Sequence, residues 1–508
     1  MAQDLVIGID SSTSATKAIA WTGTGEAVAE GRQSIQLHNP HPGWFEQDPA
    51  DWWGSTKTAL TQLTAKIDAS RVAALAISNQ RETFGLFTED GEPLRAGTTW
   101  LDERARPQVA RFAESFGADR VHDISGKPSD VLPCLYRMIW FAEHEPETFA
   151  RASRMAEVHG YLVHKLTGSW ATSTASADPM GVLDMRAQTW SREILDAAGV
   201  DIARLPKLFR PGEVIGTVSA QAALATGLQA GTPVVAGGGD GQCAGTGAQI
   251  TAPGRAYINL GTAVVSGSYG LDYAHDRAFR TETAVGDGGY IYEVCVRTGT
   301  FLVDWMAREM FNADPAKQAS IFKTLEAEAA QSPIGAGGVV QLPYWLGCMN
   351  PYWDSYARGV IAGISGSTKR GDIYRALLEG IALDAAEATD KVVATTGIPI
   401  DSLVAIGGGS DSDLWLQIVA DAMARPVQRS VTREASSLGA AMAAARGAGW
   451  FSSISAASAA MAAAPVRTFE PDAKRAARFL QLRSIHADLW PTLSVWNGRL
   501  AAFAEAGS

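Results

Sequence analysis

The run Leu5-Val-Ile-Gly-Ile9 ends on Asp10, and the next seven residues, Ser11-Ser-Thr-Ser-Ala-Thr-Lys17, add hydroxyls at Ser11, Ser12, Thr13, Ser14 and Thr16 and one ammonium. A turn that presents backbone N–H groups, hydroxyls and a cation together suits phosphate oxygens. A carboxylate beside them is a natural partner for Mg²⁺, directly or through water. The turn has neither the Gly-x-x-x-x-Gly-Lys-Ser/Thr spacing of a Walker loop nor a dinucleotide fingerprint. Its plainer reading is a solvated hairpin tip, with Asp10 capping the turn. Asp240 follows Gly237-Gly-Gly239 at the end of an apolar run, where α/β folds place reactive groups. It can take a proton from an attacking hydroxyl or start a helix at Gly241, and the two roles can coexist. Asn79-Gln-Arg-Glu-Thr83 supplies an amide, a guanidinium and a carboxylate. Arg81 could donate to a polyol's hydroxyls and Glu82 could accept from them, although a surface ion pair is the equal alternative. Trp100-Leu-Asp-Glu-Arg104 adds an aromatic face and fixed acids, the usual lining of a sugar pocket, with Trp100 open to a plain core role.

These residues need strands ending in tight turns to hold them. Leu5–Ile9 and Ala18–Trp21 read as two strands of a hairpin around the hydroxyl-rich turn, and the pattern returns in the second half. There, Ala256–Leu260 and Ala263–Ser266 flank Gly261-Thr262. Each hairpin is followed far downstream by a strand ending in three glycines with an acid nearby: Pro233–Ala236 before Gly237-Gly-Gly-Asp240, and Leu403–Ile406 before Gly407-Gly-Gly-Ser-Asp411. Glycine triplets at strand ends let a backbone approach a ligand or helix closely. Strands alternating with Ala/Leu-rich helical stretches imply α/β domains. The connector Gly247–Gly254 places a boundary that gives domains 1–250 and 251–508. Two related α/β lobes would then face each other across a cleft, the usual place for a ligand.

Composition removes other classes. The 508 residues suffice for two to four domains, and 46% hydrophobic residues with 19% charged is ordinary globular material. With 43 Lys+Arg against 54 Asp+Glu the net charge is −11, which disfavours a generic nucleic-acid binder but leaves room for a local cationic pocket. Cys134, Cys243, Cys295 and Cys348 form no C-x-x-C pair, so neither a zinc cluster nor a disulfide framework is expected. The expectation is a reduced, cytoplasmic protein. No stretch reads as a signal peptide or membrane span, and Ala456–Ala464 reads as a solvated surface helix.

Taken in order, the landmarks make the chain similar to the FGGY family of carbohydrate kinases over essentially its whole length. They are Gly8-Ile-Asp10 with Thr13 and Lys17, Gly43-Trp-Phe-Glu-Gln-Asp-Pro49, Asn79-Gln-Arg-Glu-Thr83, Trp100 with Asp102 and Arg104, and Gly237-Gly-Gly-Asp240. The second half adds Leu260-Gly-Thr262, Ala376-x-Leu378-x-Gly380-Ile381, Gly407-Gly-Gly409 with Gln417 and Asp421, and Leu438-Gly-Ala-Ala441. The resemblance implies two ribonuclease-H-like lobes of the actin, hsp70 and sugar-kinase type. The first would bind sugar and carry the first phosphate loop, and the second would bind nucleotide. It implies ATP and Mg²⁺ as cofactors, Asp240 as catalytic base and Asp10 on the metal side. Thr13, Ser14 and Lys17 would hold phosphate at the first loop, and Gly261 and Thr262 at the second. Gly408, Gly409 and Ser412 would lie on the adenosine side, with Gly299 a further nucleotide position. The sugar side would be Arg81, Glu82, Trp100, Asp102, Asp240 and Gly241.

For the acceptor, Asn79–Thr83 resembles the glycerol-kinase version, whereas Gly237–Asp240 and Leu260–Ala263 look more like xylulokinase. Leu132 stands where glycerol kinases have a Tyr that touches glycerol. The expected acceptor is therefore a pentulose, D-xylulose first, with a glycerol- or erythritol-type polyol as alternative. The rival class is a non-catalytic ATP-binding regulator on actin-like lobes. A small sugar or polyol and ATP are the expected partners, without nucleic acid or membrane, and a homodimer is left open.

Overall fold

In the computed structural model, which describes residues 3–312 and 318–506, the opening apolar run forms strand β1 (Leu5–Ser11) and the hydroxyl-rich turn folds it onto β2 (Ala15–Trp21). The antiparallel register sets Asp10 opposite Lys17 and Ser11 opposite Thr16. Strands β3 (Ala27–Ser34), β4 (Val72–Asn79), β5 (Val214–Thr217) and β6 (Pro233–Gly239) complete a six-stranded sheet in the order β5-β6-β4-β1-β2-β3. The β1–β4 and β4–β6 neighbours are parallel. Parallel strands are buried on both faces, so β1 and β4 run apolar from Leu5 to Ile9 and from Val72 to Ile77 rather than alternating, and turn polar only at their ends. Leu5, Ile7, Ile9, Leu75 and Ile77 pack on one face with Trp52 and Leu60 of helix α1 (Pro49–Thr64) and Leu162 of helix α2 (Val158–Thr167). Asp48 caps α1 by accepting from the Ala50 N–H at 2.9 Å, and Pro49 occupies its first position, a strong start signal.

Helix α3 (Asp240–Gly247) leads out of β6 towards a second sheet of β7 (Gly254–Leu260), β8 (Val264–Gly270), β9 (Arg280–Thr283), β10 (Tyr290–Val296), β11 (Ile400–Ile406), β12 (Val427–Arg429) and β13 (Arg467–Phe469). Its order is β9-β10-β8-β7-β11-β12-β13. The two sheets repeat one plan. A hairpin and a third antiparallel strand lie on one side, and two parallel strands followed by an antiparallel edge strand lie on the other. The expected two-lobed α/β architecture is what the chain adopts.

Helix α4 (Asp413–Met423) belongs to the second lobe, whereas α5 (Ala435–Gly447), late in the sequence, packs on the first lobe's sheet. Leu438, Ala441 and Ala444 meet Val6, Ala74, Ala76 and Val235 on the face opposite α1. The Ser437 hydroxyl donates to Gly8 O at 2.9 Å and accepts from Trp21 Nε1 at 3.1 Å. Small residues permit this approach. A Cβ on Gly8 would stand 1.9 Å from Ser437 O, one on Gly439 1.9 Å from Cys243 O, and one on Gly247 2.2 Å from Ala435 O. The last two pairs run in opposite directions along α3 and α5, so the two helices are antiparallel. The Ala-rich stretch expected as a solvated helix forms α6 (Ile454–Met461), which buries Ile454, Ala457 and Met461 against α5. Spacing of 3, 4 and 7 residues gives it an apolar stripe, and a small side chain buries as readily as a large one where backbones are close.

Candidate active site

Asp10 ends β1 beside its parallel neighbour β4, and Ser78 Oγ donates to Asp10 Oδ1 at 3.0 Å. Burial and the negative charge of Asp240 push its carboxyl up to about 7, against the lowering effects of Ser78 and Lys17. Asp10, Asp240, Lys17 and Glu434 therefore lie within one another's field. Lys17 Nζ contacts both oxygens of Glu434 at 2.6 Å, so the cation expected for phosphate is held by a carboxylate at the start of α5. In the turn, Ser12 N–H donates to Ala15 O at 3.0 Å. Ser14 is exposed and Thr13 half-buried. Thr13 Oγ1 accepts from Trp100 Nε1 at 2.9 Å, and Thr13 O accepts from Gln47 Nε2 at 2.6 Å.

The second turn has the same character. Thr262 is exposed between β7 and β8, and the Gly299 N–H donates to Thr262 O at 2.7 Å while the Thr300 N–H donates to Gly261 O at 2.8 Å. A Cβ on Gly299 would lie 2.5 Å from Gly261 O, so Gly299 packs closely against this second turn. Gly407, at φ 82°, turns the chain out of β11 into Gly408–Asp411. Gly408 is exposed with open space where a Cβ would be, whereas a Cβ on Gly409 would be 2.7 Å from Trp415. Ser412 caps α4, its Oγ accepting from Trp415 N–H at 3.1 Å, which leaves the hydroxyl proton free to donate elsewhere.

On the other side, Asp240 stands at the first turn of α3 with its side chain 41% exposed. Its Oδ1 accepts from Arg81 Nε at 3.1 Å and from the Gly241 N–H at 2.8 Å. The Asn79–Thr83 turn meets β9 and β10 of the second lobe. Arg81 Nη1 donates to Glu293 Oε2 at 2.8 Å and lies 3.5 Å from Glu282, and Arg280 Nη1 donates to Glu82 Oε1 at 2.5 Å. Glu82 adopts φ 50°, left-handed backbone of the kind that collects at functional sites. Burial raises the Glu82 carboxyl above its usual range despite Arg280 and Arg81. Lys127 joins the cluster, 3.2 Å from Glu282 and 3.9 Å from Asp178. The glycine triplet serves packing: a Cβ on Gly237 would be 2.0 Å from Ile77 O and one on Gly239 2.6 Å from Arg81.

One expectation changes. Asp102 is fully buried; its oxygens accept from Phe45 N–H at 2.8 Å and from Arg104 Nε and Nη2 at 2.8 and 2.7 Å. A carboxylate with no exposed surface and a bidentate guanidinium partner holds its own turn, and is corrected from sugar contact to structural support. Arg81 and Glu82 do not stand as an open pair, because each is taken up by a charge from the other lobe. Trp100 is half-buried with Leu132, Cys295, Met349 and Trp353, giving this side an apolar wall. Arg280, Glu282, Glu293 and Glu434 escaped the reading of the sequence. A signal for the first three existed, since Arg280, Glu282 and Glu293 put charges into strand-like runs, and a buried charge needs a partner.

The FGGY family of carbohydrate kinases, N-terminal domain, matches residues 5–247, and its C-terminal domain matches residues 256–448. A xylulose kinase of Bacillus subtilis (strain 168) is 32% identical over 456 residues, covering 88% of this chain and 89% of the relative. A glycerol kinase of Leifsonia xyli subsp. xyli is 29% identical over 469 residues, covering 89% and 90%. The crystal structure of xylulose kinase from Rhodospirillum rubrum superposes with a TM-score of 0.89 at 27% identity, over 97% of this chain and 99% of that one.

Proposed function

The chain belongs to the FGGY family of carbohydrate kinases, and from that premise we propose that it transfers the γ-phosphoryl group of ATP to a primary hydroxyl of a pentulose, D-xylulose first. The observation that carries this reading is Asp240: partly exposed at a helix start, oriented by Arg81 Nε at 3.1 Å, and close enough to Asp10 to raise its carboxyl. In this reading Asp240 takes the proton of the acceptor hydroxyl, and Arg81, Glu82, Trp100 and Gly241 form the acceptor's surroundings. Thr13, Ser14 and Lys17 face the terminal phosphates, with Gly261, Thr262 and Gly299 opposite. Gly408, Gly409 and Ser412 lie on the nucleoside side. Phosphoryl transfer asks the protein for alignment and charge neutralisation rather than covalent help.

Among the described residues no three His, Cys, Asp or Glu side chains are grouped to hold a metal. Mg²⁺ commonly takes one or two carboxylates and completes its shell with water and substrate phosphates. Asp10 would be the residue to hold it, and Mg²⁺ would supply neutralisation of phosphate charge. The D-xylulose preference rests on the apolar Leu132 in the wall beside Trp100, which offers no hydroxyl to a small polyol, and on relatives named xylulose kinase. A glycerol-type acceptor is the second reading, favoured by the Arg81-Glu82 pair and by relatives named glycerol kinase.

Coupled ADP release over D-xylulose, L-xylulose, D-ribulose, erythritol and glycerol should give the largest kcat/KM with D-xylulose; a clear preference for glycerol would reverse the order. Asp240→Asn should lower kcat by about 10² to 10⁴, the range for a general base, and near-full turnover would remove Asp240 from that role. A non-catalytic regulator would release no acceptor-dependent ADP at all.

A further inference from the structure

Strands β9 and β10 set Arg280 directly opposite Glu293, and Glu282 lies two residues beyond Arg280. Strand alternation therefore puts all three on one face. Glu293 Oε1 accepts from Arg280 Nε at 2.6 Å, while its Oε2 accepts from Arg81 Nη1 at 2.8 Å and from Tyr257 Oη at 3.2 Å. With the Arg280–Glu82 and Arg81–Asp240 bonds, one unbroken chain of charges runs Glu82–Arg280–Glu293–Arg81–Asp240. Its first four members are nearly or fully buried and only Asp240 reaches solvent. Burial disfavours the charged Glu293 carboxylate, but Arg280 and Arg81 overcome that and hold it below the usual carboxylate range.

Stability is a weak reason for such a chain, because buried ion pairs are commonly no better than apolar packing of the same volume. Direction is a better one. Arg81 could turn any of its nitrogens to Asp240; with Nη1 tied to Glu293, it is Nε that points there. Glu82 sits on strained backbone and has its carboxylate pinned by Arg280. The same β10 pairs Val296 with Val264, two residues past Thr262, so the strand carrying Glu293 is the neighbour of the second phosphate-type turn.

We propose that Arg280 and Glu293 are positioning residues for the acceptor side of the site: Glu293 fixes Arg81 against Asp240, and Arg280 fixes Glu82. The second lobe thereby completes the acceptor pocket of the first. This rests on the reading of Asp240 as base. A misplacement of about 1 Å in such a group can cost on the order of 10²-fold in rate.

The test is steady-state kinetics of the full-length protein with acceptor and ATP varied separately, beside thermal melting. Arg280→Lys keeps the charge but loses the fork, and should raise the acceptor KM about tenfold while the ATP KM stays within about twofold. Glu293→Gln leaves one acceptor oxygen where Arg280 and Arg81 each used one, and should lower kcat at least about tenfold; Glu293→Asp should recover part of it. Unchanged kcat and acceptor KM in folded variants would overturn the proposal, and so would equal rises in both KM values, which mark general loosening. If Glu293→Gln fails to fold, Arg280→Lys decides alone. An active Asp240→Asn would instead sink the base reading itself, whereas an inactive Asp240→Asn beside unaltered Arg280→Lys and Glu293→Gln would sink only the positioning role.

Discussion

Asp10 shows what a buried carboxylate beside another acid costs the fold. Burial and Asp240 raise it from 3.8 to about 7, so between those values the folded chain holds a proton that the unfolded chain has released. Stability of the ligand-free protein from this group is therefore present at low pH and lost as pH rises towards 7. Asp10→Asn keeps an oxygen to accept from Ser78 and removes the charge. It should stabilise the ligand-free protein at about pH 8 by up to about 3 kcal/mol, discounted because Asp10 keeps some contact with solvent, and should do little near pH 4. Urea melts in a chelator would measure this, and an equal effect at both pH values would refute the cause. Asp102 teaches the opposite lesson. Its place beside Trp100 and Arg104 looks like a sugar-pocket lining in sequence, yet Arg104 closes on both of its oxygens and ties it to Glu46 as well.

At the scale of elements, the antiparallel contact of α3 and α5 joins the helix that starts at Asp240 to the segment that starts at Glu434. Gly439 lies so close to Cys243 O that a methyl has no room. Gly439→Ala should lower stability by about 2 kcal/mol or more through overpacking, read as a lower urea midpoint. Gly408→Ala, where a Cβ meets open space, should leave the midpoint nearly unchanged. Similar midpoints for the two would show that α3 and α5 can separate. Both hairpins and the strands before the glycine triplets were legible from local apolar runs and turn residues. The reason for the triplet at Gly237–Gly239 was not, since it depends on Ile77 and Arg81, which are far away in sequence.

Across the whole molecule, Lys17 and Glu434 tie the hydroxyl-rich turn to the start of α5 over 417 residues. Both are about a quarter to a third exposed, so as a strut the pair is worth under about 1 kcal/mol. Its larger effect is on charge: with a net −11 on the chain, a triphosphate must find a local excess of cation, and Glu434 neutralises Lys17. Glu434→Gln should lower the ATP KM several-fold with little change in melting temperature. An unchanged or higher KM would mean that Glu434 helps to seat the nucleotide.

Local sequence determined the strands, the hydroxyl-rich turn, the repeated two-lobe plan and the placing of Asp10 and Asp240 at strand ends, because side-chain period and turn chemistry act over a few residues. Tertiary structure alone decided which charge answers which. Arg81 meets Glu293, Glu82 meets Arg280, Lys17 meets Glu434, and α5 returns to the first sheet. Each of those pairings joins residues roughly two hundred or more positions apart. In a buried site the partner is set by the packing that brings two elements together, and no local spacing records it.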